Sequence, residues 1–363
     1  MGKTKILTIT TTGLGKKEGI STVILDYYSY FDKDKFQLDI IASGKYGYQL
    51  VTEFQNIGVN IRVLPSRKHS VTKYIKAFYK LFKEEHYNAI YMHGSSAIMS
   101  IELFIAKMCG CRTRIVHSHN TTCDHKKADK LLRPVFYRLY TKALACGNDA
   151  GKWLYGGREF DIVKNGRNVS VYKYDPMRRK KMRESLGVND STLLVGHVGN
   201  FNKQKNQIYA VDVFKDLLVK NKDAKMYLMG DGALRESVEK YISDNGLNDF
   251  IEFTGNITNV PDMLQAMDVM LLPSLHEGLP LVAVEWQICG LPCILSDKVT
   301  TECAYMDYVK FLPLSDDRSK WVEAILSFKG FDRDAVADEA VKRTIEEGFS
   351  LEENASKLQE YFQ

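Results

Sequence analysis

Short apolar runs alternate with amphipathic stretches along almost the whole chain, the pattern of parallel strands joined by crossover helices. In the first half, Lys5–Thr10, Phe36–Ala42, Asn60–Leu64, Ala89–His93, Arg114–His119, Lys142–Cys146 and Phe160–Lys164 read as strands, with helical periodicity between them at Ser21–Tyr30 and Val71–His86. The pattern then restarts: Thr192–Val198, Lys225–Met229, Ile251–Thr254, Val269–Leu272, Pro292–Ser296 and Val309–Leu312 read as a second strand set. The expected fold is α/β, with two doubly wound, Rossmann-like domains facing a cleft. Their expected bounds are residues 1–170 and 188–345, with a C-terminal helix over 346–363 as a candidate to pack back on the first domain. The expected linker is Asn165–Gly187, where an Asn-Gly turn, Pro176 and the charge run RRKKMRE interrupt the periodicity. Ligands of open parallel sheets bind beyond the carboxyl ends of the strands, so function is expected in the loops that follow them.

Length agrees with this division, since 363 residues at roughly 150 per domain make two. A composition of 45% hydrophobic and 26% charged residues excludes disordered and collagenous classes. No window approaches the roughly 18 uninterrupted apolar residues of a membrane-spanning helix, and the opening KTKILTITTTG reads as a buried strand rather than a signal peptide. The expected location is the cytoplasm, including the inner face of the plasma membrane. Seven cysteines, at 109, 111, 123, 146, 289, 293 and 303, are an odd number thinly spread, which fits reduced thiols.

Charge divides the chain unevenly. Residues 1–173 hold 28 lysines and arginines against 14 aspartates and glutamates, a balance of +14; the rest, with 22 against 31, stand at −9. The first half is therefore expected to meet an anionic surface, and phospholipid is favoured over nucleic acid because no reading motif accompanies the charge. Within it, Ser66–Tyr87 places Lys73, Lys76, Lys80 and Lys83 on one helical face and Ile75, Phe78, Tyr79 and Phe82 on another; His125–Lys142 offers a second basic helix. The same pattern also suits a crossover helix packed on a sheet.

The stretch PSLHEGLPLVAVEWQICGLPCILSD, Pro273–Asp297, carries the most chemistry. Glu277 follows a strand, Gly278 permits close approach of a ligand, and Pro280 can open a helix capped by Gly290. Free N–H groups at such a helix start form an anion site, and Glu285 lies where its carboxylate can accept from a diol. From spacing alone, an ordinary βα unit with a solvated glutamate is equally consistent.

The stretch resembles the signature of retaining glycosyltransferase family 4, of GT-B architecture, in which two glutamates bracket an EGLP-like turn. VGNFNKQKN, LMGDG, FTGNITNVPDML, NGRN and HSHN are also similar to segments of that family, most closely of the bacterial transferases that build capsular and exopolysaccharide units. The resemblance implies a role for Glu277 beside the donor sugar, for Glu285 on the nucleotide ribose, for Lys205 on the diphosphate and for His119 near the sugar. Gly278, Leu279 and Leu281 at the helix start, Gly19 in the first glycine loop and Asn200 complete the expected donor contacts. Asn200 stands where the family usually has an arginine, and Glu18 where it has a glycine.

The implied activity is transfer of a sugar from a nucleotide diphosphate donor, with UDP favoured, to a lipid-linked oligosaccharide, without metal or other cofactor. A non-catalytic nucleotide-sugar-binding protein is the alternative. An NAD-dependent dehydrogenase is disfavoured because Glu18 breaks the G-x-G-x-x-G fingerprint. Asp32 and Asp34 spell a D-x-D, but in a helix-to-strand turn; Cys109, Cys111, His117, His119, Cys123 and His125 lack the paired spacing of a zinc site.

Overall fold

The structure, a computed structural model, describes residues 2–14, 19–44 and 46–363. The chain divides into two compact units: residues 1–166 with Ser350–Gln363, and Arg167–Phe349. The first holds β1 (Thr4–Thr10), β2 (Phe36–Ser43), β3 (Asn60–Leu64), β4 (Ala89–His93), β5 (Thr113–Ser118), β6 (Lys142–Ala145) and β7 (Asp161–Ile162). The second holds β8 (Leu193–Val198), β9 (Ala224–Met229), β10 (Ile251–Gly255), β11 (Val269–Leu272), β12 (Cys293–Ser296) and β13 (Val309–Leu312). The sheet orders are β3-β2-β1-β4-β5-β6-β7 and β10-β9-β8-β11-β12-β13, with parallel pairing. In each, the strand order reverses beside the first strand of the unit, between β1 and β4 and between β8 and β11, which makes both sheets doubly wound. Burial on both faces explains why the strands read as continuous apolar runs: every residue of β4, β11 and β12 is buried.

Helices Gly19–Ser29 and Leu351–Glu360 cover one face of the first sheet; Val71–Glu85, Ser100–Met108, Lys126–Phe136 and Asn148–Tyr155 cover the other. The closing helix begins at Leu351 and packs on Gly19–Ser29, with Phe362 meeting the rings of Phe31 and Tyr91. Its start passes so close to Gly166 that a Cβ there would lie 2.7 Å from the Leu351 backbone nitrogen, so this glycine is sterically required.

Three local expectations are corrected. The segment expected as a linker is folded into the second unit: Asp175 caps the helix Pro176–Ser185, whose Arg178 and Arg179 pair with Asp262 and Asp268. Buried Arg183 donates to the carbonyls of Ala266, Asn189 and Thr192, so this charge run anchors rather than spaces. In Val71–Glu85 the inward stripe is Tyr74, Phe78 and Phe82, whose rings contact in series at 6.0 and 5.3 Å, so sheet packing takes Phe78 and Phe82 from the apolar face expected over Ile75, Phe78, Tyr79 and Phe82, while Tyr79 stays exposed. The second basic helix spans only Lys126–Phe136 before the chain turns into β6. Asp32 serves a turn, its carboxylate accepting from the Asp34 backbone at 2.9 Å.

Candidate active site

The site in the second unit grows from two loops at the carboxyl ends of adjacent strands. After β8, Gly199–Asn206 folds back on itself: the Asn202 side chain accepts from the Lys205 backbone at 2.9 Å, and Asn206 takes a left-handed conformation. Gly199 matters here because the aliphatic stem of Lys205 lies across it; an added Cβ would stand 3.1 Å from the Lys205 Cδ. After β11, Pro273–Pro280 leads into the helix Leu281–Ile288. The two loops are latched together, since Leu275 N–H donates to the Gln204 carbonyl at 2.8 Å and the Gln204 amide donates to the His276 carbonyl at 2.9 Å.

This latch brings Lys205 Nζ to 2.7 Å from Glu277 Oε1, and the Ser274 hydroxyl donates to the same oxygen at 2.9 Å. Both charged side chains are mostly buried, which strengthens their attraction relative to an exposed pair. Two of the residues singled out by the resemblance are thus in direct contact. Pro280 is the N-cap rather than a residue of the first turn, and it offers no side-chain cap. The N–H groups of Leu281 and Val282 thus lack a capping side chain, as an anion-receiving helix start requires. Gly278 is exposed, and a Cβ placed on it would meet nothing within 4 Å, so nothing in the protein's own packing demands a glycine there.

Glu285 is buried on the same helix and accepts from Arg167 Nε at 2.6 Å. Burial pushes its carboxyl above the usual carboxylate range, and the Arg167 guanidinium draws it part of the way back, helped by Tyr172. Arg167 belongs to the NGRN segment, but nothing in the sequence pattern assigned it to Glu285; 118 positions separate the two. An open crevice of about 210 Å³ lies at the carboxyl ends of β8, β9 and β10, lined among others by Gly199, Asn200, Gly230 and Ile257. Gly230 has φ +133°, and a Cβ on it would come within 2.2 Å of the Gly199 carbonyl oxygen, which ties the LMGDG glycine to the crossing of two loops. Asn200 is exposed at the crevice rim, where its carbonyl accepts from Gln207 at 3.0 Å.

In the first unit the β4 and β5 ends gather three imidazoles. His93 and His117 are cross-strand neighbours, and His93 Nδ1 is hydrogen-bonded to His119 Nε2 at 2.8 Å. Each offers one ring nitrogen within 4.8 Å of the others, whereas the cysteines of the cluster weighed in sequence stand outside this group. Burial pushes His119 down to about 3 and holds His93 and His117 well below the ordinary histidine range. His119 turns Nε2 toward His93, and its Nδ1 is buried without a partner, so in this state neither nitrogen faces outward. His93 went unnoticed in sequence, although it ends a predicted strand beside the strand of His117. Gly19 opens the helix Gly19–Ser29 with open space around it; Gly15 and Glu18 lie outside the described residues.

Two doubly wound parallel sheets are the architecture of GT-B glycosyltransferases, and the second unit adds a lysine–glutamate pair beside an uncapped helix start. The family model described as glycosyl transferases group 1 matches residues 178–328, inside the second unit. EpsF of Bacillus subtilis (strain 168), a glycosyltransferase by name, is 28% identical over 355 residues, covering 94% of this chain and 92% of that protein. The UDP-Gal:alpha-D-GlcNAc-diphosphoundecaprenol alpha-1,3-galactosyltransferase of Escherichia coli is 25% identical, covering 95% and 93%. Among solved structures, Anabaena Alr3699/HepE in complex with UDP superposes with a TM-score of 0.80 at 16% identity, over 98% of each chain. The chain is accordingly a transferase enzyme carrying a group 1 glycosyltransferase domain.

Proposed function

We propose that the enzyme transfers a sugar from a UDP-linked donor to a hydroxyl of a lipid-linked oligosaccharide, with retention of anomeric configuration, as a family 4 glycosyltransferase of bacterial surface polysaccharide synthesis. The observation that carries this reading is the Lys205–Glu277 pair at 2.7 Å beside the helix start at Leu281. A departing nucleoside diphosphate needs cations and N–H donors aimed at developing negative charge, and Lys205 with the uncapped helix end supplies both. Glu277, exchanging its lysine for the donor, is left to position the sugar and stabilise positive charge on it. Glu285 accepts from the ribose diol, with Arg167 holding its carboxylate in place. The open space at Gly278 suits a ligand phosphate, and Asn200 and Leu279 complete the donor contacts. His119 and Gly19 belong to the sugar and diphosphate side of the first unit.

The lipid-linked acceptor is supported by the Escherichia coli relative, whose name specifies a diphosphoundecaprenol-linked sugar, and an acceptor of that kind suits a reaction at the inner face of the plasma membrane. No metal is needed where amides and a lysine neutralise the diphosphate. The test is thermal-shift screening against UDP-, GDP- and ADP-sugars. Transfer to an undecaprenyl diphosphate-linked acceptor, with the product anomer read by NMR, then follows in the presence and absence of excess EDTA. Selective stabilisation by UDP-sugars, a retained anomer and full turnover in EDTA are expected; strict Mg²⁺ dependence or an inverted anomer overturns the mechanism.

A further inference from the structure

Three consecutive crossover helices of the first unit, Val71–Glu85, Ser100–Met108 and Lys126–Phe136, line one side of its sheet, each packed on the next. Their inward residues fill the core, but the outward face of the latter two keeps four large apolar side chains in solvent. Phe104 and Met108 are 51% and 65% exposed, and Leu131 and Val135 are 79% and 47% exposed. Each pair is four residues apart, so each forms one stripe along its helix. Exposed Lys107, Lys127 and Lys130 flank these stripes, and all four lysines of Val71–Glu85 are exposed beside them. The acidic residues of the latter two helices are turned inward: Glu102 and Asp129 are buried and paired with Arg67 and Arg133, whereas Glu84 of Val71–Glu85 is exposed and lies 3.8 Å from Lys80. The unit as a whole carries 27 lysines and arginines against 17 aspartates and glutamates, a balance of +10.

We propose that the outer face of Ser100–Met108 and Lys126–Phe136 docks on an anionic phospholipid bilayer. The apolar stripes reach the boundary between headgroups and acyl chains, and the flanking lysines meet lipid phosphates. An apolar stripe edged with cations fits this boundary because each part meets its complement there, whereas water solvates only the cations. Charge also argues against a second copy of the chain as the occupant, since a two-fold contact through this face opposes lysines to lysines. The docking surface rests on the reading of a lipid-linked acceptor, which it would bring within reach of the enzyme.

Co-sedimentation of the full chain with vesicles of phosphatidylcholine, with and without phosphatidylglycerol, tests the proposal at low and high salt. Two double variants are compared with the wild type: Leu131→Asp with Val135→Asp, and Lys127→Glu with Lys130→Glu. Binding only to the anionic vesicles is expected, with each double variant lowering the partition coefficient about tenfold or more. These side chains lie outside the core, so an unchanged melting temperature verifies the fold. Turnover of a water-soluble acceptor should persist in both variants while turnover of a vesicle-embedded acceptor falls. Equal wild-type binding to both vesicle types, or variants that bind as the wild type does, overturns the docking surface. A wild-type dimer that Leu131→Asp dissociates in light scattering also overturns it, by assigning the face to a second copy. Lipid-dependent binding without transfer to either acceptor strikes the functional reading instead and leaves the docking surface standing.

Discussion

Replacing Arg167 with alanine isolates the contact that sequence did not reveal. Arg167 Nε sits 2.6 Å from Glu285 Oε1, and their side chains are only 18% and 8% exposed. Removing one partner of a buried ion pair leaves an uncompensated charge, which typically costs about 3–5 kcal/mol. Tyr172 remains as a partner of Glu285, so the lower end, about 3 kcal/mol at pH 7.5, is the expected loss of stability. The sign of the pH dependence separates this from a general packing defect. Burial already raises the Glu285 pKa, and removing Arg167 takes away its main opposing influence, so the pKa rises further. A carboxyl whose folded pKa is raised prefers the neutral form in the native state; its penalty is present above the raised pKa and disappears as pH falls toward the ordinary value near 4.5. The destabilisation of Arg167→Ala should therefore shrink with acidification, by at most about 1.4 kcal/mol per pH unit, between the raised pKa and 4.5. Denaturant unfolding of wild type and variant from pH 4.5 to 8 reads this directly, and adding Glu285→Gln to Arg167→Ala should restore much of the stability at neutral pH. A loss below about 1 kcal/mol, or one independent of pH, would refute a charge-holding role for Arg167.

Lys205→Ala should lower transfer about 100- to 1000-fold, the usual effect of losing one group that stabilises developing negative charge, with the fold intact; steady-state kinetics showing normal turnover would exclude Lys205 from the leaving-group site. Gly199→Ala should reduce turnover more mildly by pushing the Lys205 stem aside from its 3.1 Å approach, with melting temperature as the control. The histidines give the first unit an acid limit. Depressed histidines are neutral in the native state and charge more readily when unfolded, so stability is present above their ordinary value near 6.5 and is lost as pH falls below it. The slope approaches about 4 kcal/mol per pH unit for three such groups, and His93→Leu should flatten it by about 1.4, measured by denaturation between pH 4 and 7.

The strands were legible because both sheets are buried on two faces, which leaves little freedom in what a strand can contain. Asn60–Leu64, Ala89–His93, Val269–Leu272 and Val309–Leu312 coincide with their predicted bounds. The strand-loop-helix after β11 was legible for a related reason: Glu277, Gly278 and the helix start follow one another along the chain, so spacing alone brings them together. Arg167 and Glu285, by contrast, meet through tertiary folding across 118 positions, and His93 meets His119 only because β4 and β5 pair. Periodicity within one element carries no record of such meetings. The charge run at 178–184 misled for the opposite reason. Three of its cations find partners inside the fold, and an arginine bound to carbonyls is indistinguishable in sequence from a solvated one.

The same ambiguity governs the two basic helices, and burial shows helix by helix which side turns to the core. Val71–Glu85 and Lys126–Phe136 are both basic and amphipathic, and an apolar stripe that faces a sheet has the same period as one that faces lipid. In Val71–Glu85 the stripe at 74, 78 and 82 is spent on the core, and its four lysines remain outside together with Val71, Tyr79 and Glu84. In Lys126–Phe136 the core takes Asp129 and Phe136, leaving Leu131 and Val135 on the outer side. A buried aspartate on an otherwise basic helix is the clue: its carboxylate accepts from the Ala97 backbone at 2.7 Å and from Arg133 Nε at 2.7 Å, fixing which side of the helix turns inward. With that side fixed, Leu131 and Val135 cannot reach the core and stay exposed among lysines, and this juxtaposition is what the proposed docking surface rests on.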